Sequence, residues 1–237
     1  MKAGFQITNA ETMLEAVRMM GIIPFFSSSI PGYSIRELTA PGCWFDDEDG
    51  VLGPWDWKID CLQSGEIAYG KFLSGGKAAF ATVEWYKELM NYRRAHFKAD
   101  KDGRKILRYV EENGSIGSKE VRALLGVKKA AADAAIARLQ HGCCLLTGDI
   151  HRVFRGPNLS YSGWQTSTYC TPEAFFSGGG GSGYAAFTAF VGFPLDEGID
   201  PLATSHTPEE SLETLVSHIE SILPIPAPRS RILKLLG

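Results

Sequence analysis

Long apolar runs, paired cysteines and clustered histidines are all missing from this chain of 237 residues. No stretch approaches the roughly 18 uncharged apolar residues of a membrane span, and the first residues lack the apolar run of a signal peptide. The five cysteines contain no Cys-x-x-Cys pair, and the five histidines show no metal-ligand spacing. We therefore expect a cytoplasmic protein that has free thiols in its core and uses no membrane, no metal and no other cofactor.

Charge is small in total but unevenly distributed along the chain. The formal net charge is −3, yet the segment 93–140 holds twelve lysines and arginines against six acidic residues. A basic middle in an otherwise acidic chain is typical of a protein with one face that meets a polyanion, although an ordinary solvated helix surface gives the same composition. The residues assigned to one positive surface are Arg93, Arg94, Lys98, Lys101, Arg104, Lys105, Lys128, Lys129 and Arg138.

The middle of the chain contains a succession of short elements with clear ends. Helical spacing runs from Arg104 to Asn113, then from the cap Ser118 to Gly126, and again from about Lys129 to His141. Two strands, Cys143 to Phe154 and Tyr161 to Cys170, follow. Three helices and then a hairpin is the order of a winged helix-turn-helix unit. In such a unit the third helix enters the major groove of duplex DNA and the hairpin forms the wing.

The three predicted helices have distinct inward and outward faces. The third helix exposes Lys128, Lys129 and Arg138 but otherwise mainly alanines, a surface that contacts phosphate better than it discriminates bases. We expect the inward residues to form one shared cluster beneath the wing. These residues are Ile106, Val110, Val121, Leu124, Leu125, Ile136 and Leu139.

The flanking regions predict an α+β protein in three parts. Residues 1–98 form an N-terminal α+β region, residues 99–172 the winged helix domain, and residues 173–237 a Gly-rich loop and a helical C-terminal section. The N-terminal region contains a hairpin around Ser74-Gly75-Gly76, preceded by a long irregular segment from Phe25 to Cys61. The run Ser177 to Gly183 reads as a flexible linker because it lacks the Gly-Lys-Ser/Thr ending of a phosphate-binding loop.

Five segments within residues 10–175 carry a likeness to a known family. They are Ile30-Pro31-Gly32-Tyr33-Ser34-Ile35, Gly53-Pro54-Trp55-Asp56-Trp57-Lys58, Ala68-Tyr69-Gly70-Lys71-Phe72, Asn91-Tyr92-Arg93-Arg94 and Tyr169-Cys170-Thr171-Pro172-Glu173. Together with the winged helix, they resemble the AlkZ-related proteins, distant relatives of the AlkZ (YcaQ) DNA glycosylases. The resemblance implies winged helix units, binding to duplex DNA and DNA repair by base excision. The Gln-x-Gln motif through which AlkZ glycosylases act is absent, because no two of the four glutamines stand at that spacing.

One short motif combines the side chains that base excision needs. Excision requires a carboxylate to position water or to stabilise an oxocarbenium-like sugar, and aromatic faces to hold the flipped base. Asp56 is the candidate catalytic residue. Trp55, Trp57, Lys58, Tyr69 and Lys71 are the candidate lining of a base pocket. The alternative is that the tryptophans anchor a turn while Asp56 caps a neighbouring backbone. The acidic run 46–49 is interpreted as a solvated loop.

Three functions are compatible with these features. The first is a DNA-binding, glycosylase-like protein that acts on damaged or structured duplex DNA. The second is a winged helix transcriptional regulator, which should dimerise and read a palindrome. The third is a catalytically silent interaction module, since winged helices also bind proteins. Base release from a panel of damaged duplexes distinguishes the first from the other two.

Overall fold

A computed structural model describes residues 5–44, 53–177 and 200–237 of the chain. The described residues form a mixed α+β fold with ten α-helices and two three-stranded antiparallel sheets, as the sequence predicted at this level. No helix among them is long and apolar enough to cross a membrane. The acidic run 46–49 and the glycines of the run 178–183 lie outside the described residues.

The first part of the chain begins with a capped helix. The Asn9 side chain accepts a hydrogen bond from the Thr12 backbone N–H at 2.8 Å, which satisfies a donor that the first helical turn leaves unpaired. A 3-10 turn, Ser74–Gly76, joins the second and third strands. The elements are α1 (Ala10–Met20), β1 (Ile22–Pro24), α2 (Ile35–Leu38), α3 (Pro54–Gln63), β2 (Ile67–Gly70), β3 (Ala79–Thr82) and α4 (Val83–His96).

Helix α3 corrects the prediction that the chain is irregular from Phe25 to Cys61. A Gly-Pro pair is typical of a turn, but Pro54 is the first residue of this helix. Proline suits that position because its fixed φ matches the helix and its missing N–H would have no helical partner there. The helix is important for the site described below, since Trp55, Asp56, Trp57 and Lys58 all lie on it.

The second part follows the predicted order of three helices and a hairpin. A short strand between the first two helices pairs with the last strand, with Ile116 opposite Tyr169. The long hairpin strands pair from Leu146 opposite Cys170 to Arg155 opposite Ser160. The elements are α5 (Lys101–Asn113), β4 (Ile116–Gly117), α6 (Ser118–Leu125), α7 (Lys129–His141), β5 (Leu146–Arg155) and β6 (Ser160–Cys170).

The two parts share one topology. Each runs helix, strand, helix, helix, strand, strand, and in each sheet the last strand of the part lies between the other two, in the orders β1-β3-β2 and β4-β6-β5. We call α1 to β3 the first repeat and α5 to β6 the second repeat. Helix α3 of the first repeat therefore corresponds to α7 of the second.

Two hydrophobic clusters form the core of the part of the chain that the structure describes. The second repeat has its own cluster, which contains Ile106, Val110, Val121, Ile136 and Leu139, with Leu124 and Leu125 partly buried against it. This confirms the predicted inward faces. The other cluster joins the first repeat to α4 and to the C-terminal helices. Those helices are α8 (Pro172–Phe176), α9 (Pro208–Ile222) and α10 (Arg229–Leu236).

A buried carboxylate ties the C-terminal section to α4. Glu88 is 4% exposed and accepts hydrogen bonds from the Ser211 and Thr204 hydroxyls and from a ring nitrogen of His206. These bonds hold the pKa of Glu88 below its ordinary value although burial acts in the opposite direction. The C-terminal section therefore packs on the same core as the first repeat.

Candidate functional site

Helix α7 presents a basic, otherwise alanine-rich face to solvent. Lys128 and Lys129 are exposed at its N-terminal end, and Arg138 is exposed about 13 Å further along the axis. Lys129 pairs with Asp133 at 3.1 Å, and Arg138 pairs with Asp100 at 3.0 Å. Such exposed pairs contribute little to stability, so phosphate groups can replace their carboxylates.

The remaining predicted basic residues surround the start of α5. Lys98, Lys101, Arg104 and Lys105 are all exposed. Lys98 and Arg138 line one small cavity between α5 and α7, so these two cations belong to one surface. Lys105 instead lines a cavity with Leu124 on the side where α5 faces α6. The structure therefore brings Lys98 together with Arg138 and places Lys105 apart from them.

Arg93 is buried in the fold, and the Arg94 side chain is only 34% exposed. Arg93 is 5% exposed, and its guanidinium donates to the backbone carbonyls of Phe72 and Leu236 and contacts the His141 ring. Arg94 donates to the Cys143 carbonyl and pairs with Glu173. Both guanidinium groups thus join α4 to other parts of the protein. The prediction that they belong to the exposed positive surface is therefore wrong.

The hairpin of the second repeat exposes large apolar side chains that the sequence analysis did not single out. Phe154, Leu159 and Trp164 are 54%, 70% and 58% exposed. The Arg155 guanidinium lies 4.7 Å from the centre of the Trp164 ring, and Phe154 packs on Tyr161. A cation over an exposed indole provides a surface on which a planar group can stack.

The alternation of residues along β6 indicates from sequence that Trp164 is exposed. Along β6, Ser160, Ser162, Trp164 and Thr166 are exposed, whereas the residues between them are partly covered. Alternation of this kind places one indole on a face made otherwise of serine and threonine. A large apolar residue on the polar face of a strand therefore marks this surface from sequence alone.

Asp56 lies in a polar cluster between α3 and the hairpin. Its carboxylate is 7% exposed and accepts hydrogen bonds from the Tyr161 hydroxyl at 2.7 Å and from Arg152 Nε at 3.2 Å. Gln165 donates to the Tyr161 hydroxyl at 2.8 Å and to the Trp55 carbonyl at 3.1 Å. The carboxylate thus joins the first repeat to the hairpin of the second.

Lys58 and Trp55 complete this cluster. The Lys58 ammonium lies 3.2 Å from the centre of the Trp55 ring and donates to the Trp55 carbonyl and to Gln165 Oε1. The Trp55 indole N–H donates to the Gly163 carbonyl at 3.1 Å. Lys58 is only 3% exposed, so its amino group lies inside the interface and is not offered to a phosphate.

The other predicted pocket residues lie elsewhere. Trp57 is partly buried against the core, and Tyr69 is buried with its ring 4.7 Å from that of Phe80. Lys71 is exposed and lines a small cavity with Gln140 beside α7. The strand end before it approaches α7 closely, because a Cβ on Gly70 would lie 2.9 Å from the Gln140 amide. The structure therefore brings Trp55, Asp56 and Lys58 together, and it separates Lys71 from them.

Burial strongly perturbs Lys58, and this gives a prediction for stability against pH. Burial lowers the pKa of Lys58 to about 7 from its ordinary 10.5, although the Asp56 carboxylate raises it in part. Between these values the unfolded chain binds a proton that the folded chain has released. The free energy of unfolding should therefore rise with pH, by at most about 1.4 kcal/mol per pH unit from this group. Urea unfolding at pH 7, 8 and 9 should show a steeper rise for the wild type than for Lys58→Met, and parallel profiles would contradict the assignment.

Comparison with known proteins identifies the family. No curated protein and no solved structure matches the chain. The family model described as AlkZ related matches residues 7–237. This match extends beyond residues 10–175, where the sequence motifs lie, and includes the C-terminal section that packs on α4. The chain therefore belongs to the AlkZ-related family.

Proposed function

We propose that the second repeat is a winged helix unit that binds duplex DNA. The observation that carries this proposal is the joint exposure of the basic face of α7 and of the β5–β6 hairpin. The order of its elements and the sheet order β4-β6-β5 support the unit, with α7 as recognition helix and the hairpin as wing. Family membership supports a partner among nucleic acids.

The side chains on these elements favour contacts to the DNA backbone. Lys128 and Lys129 stand at the N-terminal end of α7, the end that contacts the groove in helix-turn-helix proteins. The neighbouring exposed positions are Ala130, Ala131 and Ala134, which offer no bidentate contact to a base edge. Binding should therefore depend weakly on sequence and strongly on salt. This favours recognition of DNA structure or damage over reading of an operator.

The wing adds a different kind of contact. Arg155 and Trp164 present a cation and an indole on the exposed face of the hairpin, and Leu159 projects near its tip. Wings and arms that enter the minor groove use arginine, and apolar side chains can wedge between base steps. An unstacked or damaged base would stack on Trp164 at little cost, since its own stacking is already lost.

The salt dependence of affinity tests the α7 surface. A variant with Lys128, Lys129 and Arg138 each changed to Gln should bind duplex DNA more weakly. Its plot of log affinity against log salt should be less steep by about 2.7, since each lost phosphate contact removes about 0.9. Fluorescence anisotropy with a labelled duplex over a range of salt measures both quantities.

A charge-matched variant controls for net charge. Arg18, Lys87 and Arg229 lie on α1, α4 and α10, helices outside the second repeat, and their joint change to Gln should leave the slope unchanged. Equal slopes for the α7 variant, the control and the wild type would exclude α7 as the DNA-binding face. They would favour the interaction module.

DNA binding does not by itself imply base excision, and the contacts of Asp56 bear on whether this carboxylate could be catalytic. Asp56 is almost fully covered and already accepts bonds from Tyr161 and Arg152. We propose that it positions the wing on the first repeat and does not itself touch the sugar. Substitutions of Asp56 and of Tyr161 separate this role from catalysis, because only a catalytic carboxylate is still needed once the DNA is bound.

A further inference from the structure

A groove lined by serines and lysines lies on the first repeat, where the turn between β2 and β3 meets α10 and the loop after β1. Its volume is about 350 Å³. Pockets for small ligands begin at about 300 Å³, so the groove has room for a nucleotide-sized molecule. The lining consists of three serines, one glycine, two lysines and one leucine: Ser28, Ser29, Ser74, Gly75, Lys77, Lys234 and Leu235.

The groove brings together two lysines from distant parts of the sequence, Lys77 and Lys234. Among the residues that the structure describes, no acidic side chain lines the groove with them. Within the three described ranges, neither lysine forms an ion pair with a carboxylate. Arg231 reaches the Ser29 carbonyl at 3.5 Å, which places a third cation at the rim. Bringing these cations together costs free energy unless an anion accompanies them.

The turn itself is open to a ligand. Gly75 and Gly76 have φ values of 79° and 65°, which other residues rarely adopt, and a Cβ on either would meet nothing within 4 Å. The space beside both glycines is therefore open, and Gly75 itself lines the groove. Lys77 Nζ donates to the Ser27 carbonyl at 2.6 Å, which fixes the side chain and leaves two of its three N–H donors for another acceptor.

We propose that this groove binds a phosphate group, carried either by a free nucleotide or by the backbone of DNA. Ammonium and hydroxyl donors without carboxylates match the several acceptor oxygens and the negative charge of a phosphate. The groove faces the turn that corresponds, in the first repeat, to the wing of the second. The proposal does not rest on DNA binding by α7, because inorganic phosphate is the first probe.

The experiment follows backbone amide signals of the isotope-labelled full-length protein. Inorganic phosphate and then adenosine monophosphate should shift the signals of Gly75 and Gly76 along a saturable curve. The Lys77→Gln, Lys234→Gln double variant should lose at least about tenfold in affinity for both probes, since two charge-assisted hydrogen bonds are removed. The Arg18→Gln, Lys87→Gln double variant carries the same change in charge and should bind as the wild type does. Thermal melts check that both variants remain folded.

Three results would overturn the proposal. They are the absence of any shift at Gly75 and Gly76, small shifts spread over all exposed lysines, and unchanged affinity in the Lys77, Lys234 variant. A titration with duplex DNA then distinguishes a free nucleotide from the DNA backbone as the source of the phosphate. If the backbone supplies it, the variant weakens duplex binding and lowers the salt slope by about 1.8, from two contacts. If duplex affinity is unchanged while nucleotide affinity falls, the ligand is a free nucleotide.

Discussion

Replacing Leu139 by Ala should lower the free energy of unfolding by about 2–5 kcal/mol. Leu139 is 1% exposed at the centre of the second-repeat cluster. Its Cδ2 atom lies 3.1 Å from the position that a Cβ on Gly103 would take, so α5 and α7 are in direct contact there. The smaller side chain leaves a cavity between two helices that cannot fully close.

Two further substitutions make this prediction specific. Leu124 is only partly buried, so Leu124→Ala should cost less than Leu139→Ala. Lys129→Ala removes an exposed residue and should cost about 0.5 kcal/mol or less, while it weakens binding to duplex DNA. Urea unfolding and anisotropy on the same three variants separate stability from affinity. Equal losses of stability at Leu139 and Lys129 would mean that the faces of α7 are assigned incorrectly.

The second repeat could be predicted from sequence because its signals are local. Helical spacing and the glycines that follow each helix are properties of residues three to five positions apart, and they determine both the helices and their inward faces. The buried cluster around Ile106, Val110 and Ile136 follows directly from that spacing. The buried face of a short helix can thus be predicted without knowing which segment packs against it.

The first repeat could not be recognised in the same way. Long loops separate its helices, and α2 has only four residues, too few to show the periodicity of a helix. The strand β1 has three residues, all buried, so it lacks the alternation that marks a half-exposed strand. The repeat becomes visible only through the order of strands in its sheet, which depends on pairing across the sequence.

The candidate site could also be predicted only in part, because its local residues are visible in the sequence but their distant partners are not. The sequence identified Trp55, Asp56 and Lys58 as an unusual group, and the structure brings them together. Their partners Tyr161 and Gln165 stand about a hundred positions away, so no local pattern could connect them. The charge of Arg93 predicts a position on the surface. Its position on α4 gave no sign that carbonyl groups from two other segments would surround the guanidinium.

Replacing Asp56 by Asn should lower the free energy of unfolding by about 1–3 kcal/mol, because it removes the charge that pairs with Arg152 and weakens the bond from Tyr161. The cost stays below that of a fully buried pair, since the Arg152 side chain is 34% exposed. Loosening this contact should also release the wing from α3. If the hairpin binds DNA as proposed, duplex affinity should therefore fall even without a contact between Asp56 and DNA.

Tyr161→Phe is the matched control, because it removes the donor of the hydrogen bond that the Asp56 carboxylate accepts. It removes the hydroxyl that binds the carboxylate and leaves Asp56 charged. If Asp56 positions the wing, both variants lose stability and duplex affinity together, and base release from a damaged duplex, where it occurs, falls in the same proportion. If Asp56 is catalytic, base release disappears in Asp56→Asn at saturating protein but persists in Tyr161→Phe. This second pattern would contradict the positioning role. It would mean that the Asp56 carboxylate takes part in base excision, because at saturating protein the DNA is already bound and only groups that act on the sugar still affect the rate.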